Sequence, residues 1–126
     1  MSVDKVLRPY NQITIGNCTV SYCQYDTVNA LDDSNIVYAD YFYHSFLYGN
    51  GGDDVIYVRQ SMGFNSIDGG VGDDNFFILD GDSYRDFIYG GYGDDIFEIN
   101  NSTVYIDCGP GVDSFCHEFN YHATVV

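Results

Sequence analysis

The residues of this chain that could do chemistry are aspartates set in glycine-rich turns. Four such segments occur at intervals of roughly 20 residues, and each ends in an aspartate: GNGGDD at 49–54, GGVGDD at 69–74, GGYGDD at 90–95 and CGPGVD at 108–113. Glycine adopts the left-handed backbone conformations that aim carbonyl oxygens into one small volume. Because Ca²⁺ takes about six to eight oxygen ligands from carboxylates and carbonyls, the turns predict a cation site.

The predicted ligands are the last aspartate of each turn and the glycines that shape the turn. They are Asp54, Asp74, Asp95, Asp113, Gly52, Gly70, Gly72, Gly91, Gly93, Gly109 and Gly111. Three turns carry a second aspartate directly before the last one: Asp53, Asp73 and Asp94. These three are either auxiliary ligands or outward-facing solvated charges.

Short β-like runs flank every turn and must position it. Large apolar residues stand two residues before each turn, at Leu47, Ile67, Ile88 and Ile106, and two residues after its last aspartate, at Ile56, Phe76, Phe97 and Phe115. A strand alternates its faces with period two, so these side chains share one face. A single coil cannot bury that face alone. The pattern therefore predicts an all-β fold, a right-handed parallel β-solenoid (a β-roll) with coils of about 18–21 residues.

The turns and the strands after them also match a known repeat, G-G-x-G-x-D-x-U-x, in which U is apolar. The segments 69–77 and 90–98 match at every defined position, while 49–57 and 108–116 each depart at one glycine. In this pattern residues 45–119 resemble the RTX family of calcium-binding β-rolls. The resemblance implies that ions lie between turns stacked on the same side of the roll.

That resemblance predicts two or three Ca²⁺ ions. Their places are between turns 49–54 and 69–74, between 69–74 and 90–95, and between 90–95 and 108–113. The alternative is a stack of turns held by hydrogen bonds alone. Stacked aspartates without a cation would repel at close range, which favours the calcium interpretation.

The rest of the chain is expected to belong to the same single domain, residues 1–126. Residues 1–44 lack the glycine turn and are predicted as irregular N-terminal coils or a cap, and 120–126 as a C-terminal tail. The aromatic run within 38–48 is either part of that cap or a surface for a partner, since exposed tyrosine is favoured at interfaces. A homodimer through this aromatic end stays open.

Charge excludes several classes of function. The chain has 19 acidic residues against 4 basic ones, a net charge of −15, so no basic patch exists for direct nucleic-acid binding. No apolar run is long enough to predict a membrane span. The N-terminus lacks the apolar core of a signal peptide, which predicts a cytoplasmic protein. The alternative, implied by the RTX resemblance, is secretion through an uncleaved C-terminal signal.

No catalytic constellation stands out. Cys116 and His117 are adjacent, so in a strand they point to opposite faces and cannot pair as nucleophile and base. His44 and His122 have no motif around them, and the spacing of the four cysteines, at 18, 23, 108 and 116, fits no zinc pattern. We therefore expect a binding module and not an enzyme.

Two functions remain open at this level. The first is a calcium-binding β-roll that acts by binding a protein partner, which the net charge suggests is basic. The second is a small acidic inhibitor, of the phage anti-defence or anti-CRISPR kind, that mimics nucleic acid at a basic site. The predicted partner-binding residues are Tyr41, Tyr43, Asp80, Asp82, Asp86 and Glu98.

Overall fold

The structure, a computed structural model, describes residues 2–4, 12–81, 85–118 and 122–125, and no side chain before residue 14 or after residue 114. The described residues form β-strands joined by turns and bends. This part of the chain contains no helix that could cross a membrane.

Successive strands alternate between two seven-stranded sheets. Sheet A contains β1 Ser2–Asp4, β3 Cys18–Ser21, β5 Ile36–Asp40, β7 Val55–Arg59, β9 Asn75–Leu79, β11 Ile96–Asn100 and β13 Ser114–Glu118. Sheet B contains β2 Gln12–Ile15, β4 Thr27–Ala30, β6 Phe46–Tyr48, β8 Ser66–Val71, β10 Asp86–Tyr92, β12 Thr103–Asp107 and β14 His122–Val125.

Every strand pair is parallel and joins strands of neighbouring coils. Ile56 of β7 stands opposite Phe76 of β9, for example, and Phe76 opposite Phe97 of β11. Each coil of about 20 residues thus adds one strand to each sheet. The predicted parallel β-solenoid is confirmed.

The core lies between the two sheets and is built from the predicted inward columns. Leu47, Ile67, Ile88 and Ile106 are fully buried in sheet B, and Ile56, Phe76 and Phe97 face them from sheet A. The rings of Phe76 and Phe97 stack with their centroids 5.0 Å apart. Burial of one such side chain contributes roughly 1.5–3 kcal/mol, so the columns are the main attraction between coils. The side chain of Phe115 lies outside the described residues.

The N-terminal coils continue the same two sheets. β2 pairs with β4 and β3 with β5, in register with the coils that follow. The aromatic run at 38–48 lies within the stack and not at its end, because β5 pairs with both β3 and β7. Its rings form ladders from coil to coil: Tyr38 stacks on Tyr57 at 4.6 Å, and Tyr22 on Tyr41 at 4.8 Å.

Candidate metal centre

The four glycine-aspartate turns lie above one another along one edge of the solenoid, where sheet B passes into sheet A. Backbone hydrogen bonds join each turn to its neighbour. The N–H of Gly49 donates to the carbonyl of Asp68 at 2.7 Å, and that of Gly72 to the carbonyl of Tyr92 at 2.8 Å. The register of the flanking strands therefore brings the predicted ligand residues into columns.

The last aspartates of the turns form an inner column. Asp54, Asp74 and Asp95 are completely buried. One oxygen of each, Oδ1, accepts a backbone N–H from the coil before it. The donors are Asn35 to Asp54 at 2.8 Å, Asp54 to Asp74 at 2.7 Å, Asp74 to Asp95 at 2.8 Å and Asp95 to Asp113 at 2.9 Å. These bonds form a ladder from coil to coil.

The second oxygen of each buried aspartate has no hydrogen-bond donor. Oδ2 of Asp54, Asp74 and Asp95 is buried and unpartnered. Most buried polar atoms in proteins have a partner, and each exception needs an explanation. Here the three exceptions are equivalent positions of successive coils, so the cause belongs to the repeat itself.

Each unpartnered oxygen shares a small space with a carbonyl oxygen of the next coil. A Cβ placed on Gly69 would lie 2.7 Å from the carbonyl oxygen of Gly90 and would overlap Oδ2 of Asp74. The same holds at Gly49, where a Cβ would lie 2.7 Å from Oδ2 of Asp54 and overlap the carbonyl oxygen of Gly69. At Gly90 the two oxygens are Oδ2 of Asp95 and the carbonyl of Cys108. Hence the first glycine of a turn leaves no room for a Cβ, and the position where a Cβ would stand, here called the cradle, is lined by two acceptor oxygens. At Gly69 and Gly90 a ring carbon of Phe76 or Phe97 lies there too, at 2.9 and 3.0 Å.

Burial changes the protonation of these aspartates. It is the main reason that the pKa of Asp74 is raised to about 7, although the hydrogen bond from Asp54 opposes the shift. The neighbouring carboxylates of Asp54 and Asp95 raise it further. Burial likewise raises the pKa of Asp54 and of Asp95 to about 6. A carboxylate held in this way favours a proton or a cation beside it.

The first aspartates of the turns form a separate outer column. Asp53, Asp73 and Asp94 are exposed. Oδ1 of Asp53 accepts the N–H of Asp73 at 2.9 Å, and Oδ1 of Asp73 accepts that of Asp94 at 2.8 Å. Val112 donates to Asp94 in the same way at 2.8 Å. The outer aspartates thus accept N–H groups from the coil after them, whereas the inner aspartates accept N–H groups from the coil before them.

Stacking of the turns by itself requires the later glycines. Gly70 has φ +97° and Gly93 has φ +134°, a region that side chains rarely adopt. A Cβ at either position would also overlap a backbone carbonyl oxygen of the preceding coil, that of Asn50 or of Gly72. The same overlap occurs at Gly72, Gly91, Gly109 and Gly111. These glycines are therefore needed whether or not an ion binds.

The chemistry of the cradles fits a hard cation such as Ca²⁺, which prefers carboxylate and carbonyl oxygens. Each cradle brings together one carboxylate and one carbonyl oxygen, fewer than the about six to eight that Ca²⁺ takes. Within the described residues, no group of three or more His, Cys, Asp or Glu side chains converges on one point. The remaining ligands would have to be water or further backbone carbonyls. The three cradles coincide with the three predicted places for ions.

The fourth turn differs from the others. Cys108 replaces its first glycine and is a free, half-buried cysteine. Burial, with the nearby carboxylates of Asp113, Asp107 and Asp95, raises the pKa of its thiol. Asp113 is half-buried, so this turn ends the column. Of the other cysteines, Cys23 lies in the core, and the side chains of Cys18 and Cys116 lie outside the described residues.

The structure brings together two of the predicted partner-binding residues. Tyr41 and Asp80 line a shallow depression of about 300 Å³, and Asp80 is exposed. Beside them Arg59 forms an ion pair with Asp40 at 2.6 Å. The other predicted residues lie apart: Glu98 is exposed on sheet A, Tyr43 packs edge-on to Tyr25 and His44, and Asp82 lies outside the described residues.

The prediction that Asp86 binds a partner is wrong. Its side chain is only 2% exposed, and its Oδ1 accepts hydrogen bonds from the backbone and side-chain nitrogens of Asn65, each at 3.0 Å. The physical reason is strand alternation. Because Ile88 points inward, Asp86 two residues earlier points inward too.

A buried polar column on the far side of the solenoid was not anticipated. Ser45, Asn65 and Asp86 are buried there, and the N–H of Ser45 donates to Oδ1 of Asn65 at 2.9 Å. Asn65 also donates from Nδ2 to the carbonyl of Phe42 at 2.9 Å. Each column member stands two residues before a core residue, Leu47, Ile67 or Ile88, and that spacing is the signal that could have found it.

Comparisons with protein-family models, with curated proteins and with solved structures found no match to this chain. What the protein does must therefore be inferred from the aspartate columns and from the surfaces around them.

Proposed function

We propose that this protein is a calcium-binding β-roll module that acts by binding a protein partner. One observation carries the proposal: the column of unpartnered carboxylate oxygens at Asp54, Asp74 and Asp95, each beside a carbonyl oxygen of the next coil. Three buried carboxylates, each with one oxygen that has no hydrogen-bond donor, favour a positive charge beside them. A divalent cation in the cradles would supply it.

Calcium fits the surroundings better than the other sources of positive charge. The basic residues number 4 in the whole chain, and the only described ion pair, Arg59 with Asp40, lies away from the turns. Protons are the competing source, because the pKa of Asp74 is about 7 and that of its neighbours about 6. The likeness of the turns to the RTX repeat and the net charge of −15 favour calcium.

In this proposal the ions would be held by the carboxylates of Asp54, Asp74 and Asp95 with the carbonyls of the following turns. Calcium would supply charge neutralisation between coils. A ligand that binds only the folded chain at about 100 times its Kd adds roughly 2.7 kcal/mol to stability. The module would then be much more stable in calcium than without it.

The glycine edge also presents a surface suited to a protein. Tyr92 is 65% exposed and Val71 is 60% exposed, and the two stand opposite each other on neighbouring strands. The exposed carboxylates of Asp73 and Asp94 follow them along the chain. Apolar side chains among acidic ones match a partner with an apolar centre and a basic rim.

Thermal unfolding followed by circular dichroism in EDTA, in millimolar calcium and in millimolar magnesium tests the proposal. We expect a large rise in Tm with calcium and a small one with magnesium, which loses its water shell reluctantly. Titration calorimetry should give two or three ions per chain. Coincident Tm values in EDTA and calcium would overturn the calcium proposal.

A second candidate function is the acidic inhibitor that occupies a basic nucleic-acid site. The observation that favours it is the outer column, in which Asp53, Asp73 and Asp94 are exposed on successive coils roughly 4.8 Å apart. Competition with a DNA duplex for a polyarginine peptide tests this idea. Replacing the three aspartates with asparagine should weaken the competition. Unchanged competition would exclude the column as a mimic of phosphates.

A further inference from the structure

The outer face of sheet B, away from the glycine edge, carries a regular pattern of side chains. The strands β6 and β10 each present an aromatic pair outward, Phe46 with Tyr48 and Phe87 with Tyr89. The strand between them, β8, presents the small and polar pair Ser66 and Asp68 at the same two positions. From β6 to β10 the outward positions are therefore aromatic, polar and aromatic in turn. On the next strand, β12, Tyr105 stands opposite Phe87 with the ring centroids 5.8 Å apart, and Asp107 stands opposite Tyr89.

The register fixes the spacing of these rows. Phe46 and Phe87 both stand opposite Ser66, and Tyr48 and Tyr89 both stand opposite Asp68. Neighbouring strands lie roughly 4.8 Å apart, so the aromatic rows lie about 10 Å apart. This is about the length of a disaccharide in an extended chain.

The aromatic rings are accessible. Phe46 is 46% exposed and Phe87 is 37% exposed, and Tyr48 and Tyr89 are half-buried. The rings of Phe46 and Tyr48 are nearly parallel, at 4°, with centroids 6.3 Å apart. The polar pair Thr27 and Asn29 precedes Phe46 and Tyr48 in register, and the mixed pair Tyr105 and Asp107 follows Phe87 and Tyr89.

We propose that the outer face of sheet B binds a neutral, extended polysaccharide laid along the axis of the solenoid. The C–H bonds on the face of a pyranose ring carry positive charge and pack against the negative face of an aromatic ring. Sugar hydroxyls above the intervening row would donate to the carboxylate of Asp68 and exchange hydrogen bonds with the hydroxyl of Ser66. Successive sugar units between β6 and β10 would then meet an aromatic, a polar and an aromatic row.

The charges select among ligands. An anionic polysaccharide is disfavoured because the chain carries a net charge of −15. A basic protein segment is a weaker fit to this face, because the carboxylates that lie among its aromatic rings, Asp68 and Asp107, are both half-buried. Asp107 accepts the N–H of Gly109 at 3.1 Å, and Asp68 makes the equivalent backbone hydrogen bond with Gly70.

This inference does not rest on calcium. The face is formed by the middle of the strands, and none of its aromatic residues belongs to the aspartate columns. Polysaccharide binding measured in calcium and in EDTA at a temperature where the apo-protein stays folded therefore separates the two proposals. Binding that survives EDTA supports this face even where calcium binding fails.

Affinity electrophoresis in native gels containing hydroxyethyl cellulose or glucomannan, with alginate as the anionic control, tests the proposal. We expect both neutral polymers to retard the protein and alginate to leave its mobility unchanged. Phe87→Ala and Tyr48→Ala should each raise the Kd about tenfold, as expected for an aromatic anchor. Tyr57→Ala is the matched control, because Tyr57 is a half-buried aromatic on the outer face of sheet A.

Circular dichroism and Tm of the variants confirm that each one is folded before its mobility is compared. Three results would overturn the proposal. One is normal mobility in both neutral polymers, and another is an equal loss in Tyr57→Ala and Phe87→Ala. The third is binding of a polylysine peptide that Phe87→Ala abolishes while no neutral polymer binds, which would assign the face to a basic protein.

Discussion

The backbone N–H of Asp54 donates to Oδ1 of Asp74 at 2.7 Å, while Oδ2 of the same Asp74 carboxylate has no donor. The two oxygens of one side chain therefore have different tasks. Oδ1 fixes the distance between neighbouring coils, and Oδ2 is left for positive charge. This division allows substitutions to separate stacking from ion binding.

Asp74→Asn should separate the two tasks. The amide oxygen still accepts the N–H of Asp54, while the amide nitrogen faces the carbonyl of Gly90 and can donate to it. Removal of a buried unpartnered charge should stabilise the metal-free protein at pH 7.5 by roughly 1–2 kcal/mol. The rise in Tm on addition of calcium should fall by at least half.

Urea unfolding in EDTA measures the change in stability, and thermal unfolding in EDTA and in calcium measures the rise in Tm. Asp80→Asn is the control, since it removes the same charge from an exposed far-side turn. An Asp74→Asn protein that keeps the full calcium response would show that the cradle at Gly69 holds no ion.

The stability of the metal-free protein should decrease as the pH rises. The pKa values of Asp54, Asp74 and Asp95 are raised from 3.8 to about 6, 7 and 6 in the folded chain. Between about pH 4 and pH 7 the folded chain therefore binds more protons than the unfolded chain, and stability is lost with increasing pH. In EDTA the Tm at pH 5 should exceed that at pH 7.5.

The triple variant Asp54→Asn, Asp74→Asn, Asp95→Asn should show a flatter dependence on pH over the same range. If the Tm of the parent protein instead rose from pH 5 to pH 7.5, the three carboxylates would not be the groups that titrate.

Two glycines of neighbouring turns should respond in opposite ways to alanine. Gly70→Ala places a Cβ onto the carbonyl oxygen of Asn50 at φ +97°, which should cost about 2–4 kcal/mol. Gly51→Ala places a Cβ no closer than 3.6 Å to its nearest neighbour, Oδ1 of Asp32, and should leave stability nearly unchanged. Chemical denaturation of the two variants in EDTA gives the comparison. Equal losses would mean that the turns do not stack as described.

The same two positions show how far the sequence could predict the site. The repeat pattern already distinguishes Gly70, at a defined glycine position, from Gly51, where any residue is allowed. Alternation placed Leu47 and Phe76 in the core correctly, because period-two patterning and the repeat give the same answer. The unpartnered Oδ2 atoms could not be predicted, since they depend on how a carboxylate is shared between the coils before and after it.

The far-side column of Ser45, Asn65 and Asp86 is a part of the fold that the sequence did not predict. The prediction for Asp86 is a partner-binding residue on the surface, although its spacing of two residues from the inward-pointing Ile88 places it inside. Its burial is tolerated because Asn65 supplies two hydrogen bonds, at 3.0 Å each. Asn65 belongs to the preceding coil, and no pattern in the sequence around Asp86 predicts this hydrogen-bond partner.

Asn65→Ala should destabilise the solenoid strongly. The change leaves the N–H of Ser45 without a partner and removes the side-chain bonds of Asn65 to Asp86 and Ser61. The carbonyl of Phe42 loses one of its two donors and keeps the N–H of Met62 at 2.8 Å. A buried unsatisfied group costs about 1–3 kcal/mol and a hydrogen bond to a charged group contributes about 1.5–3 kcal/mol, so a loss of about 3 kcal/mol is expected in urea unfolding.

Asn75→Ala is the matched control, because Asn75 is half-buried on the outer face of sheet A. A loss at Asn65 no larger than that at Asn75 would contradict a structural role for the far-side column.

The inner and outer aspartate columns accept hydrogen bonds from opposite directions along the stack. The contacts between coils therefore do not fix how many coils the solenoid has. Asp74 accepts an N–H from the coil before it, and Asp73 accepts one from the coil after it. Each coil therefore has one aspartate acceptor for the coil before it and one for the coil after it. An extra copy of residues 70–90, inserted after Gly90, would meet matching partners above and below. The fold can thus lengthen by tandem duplication without any new type of contact between coils, and each duplication would add one more cradle of the same kind.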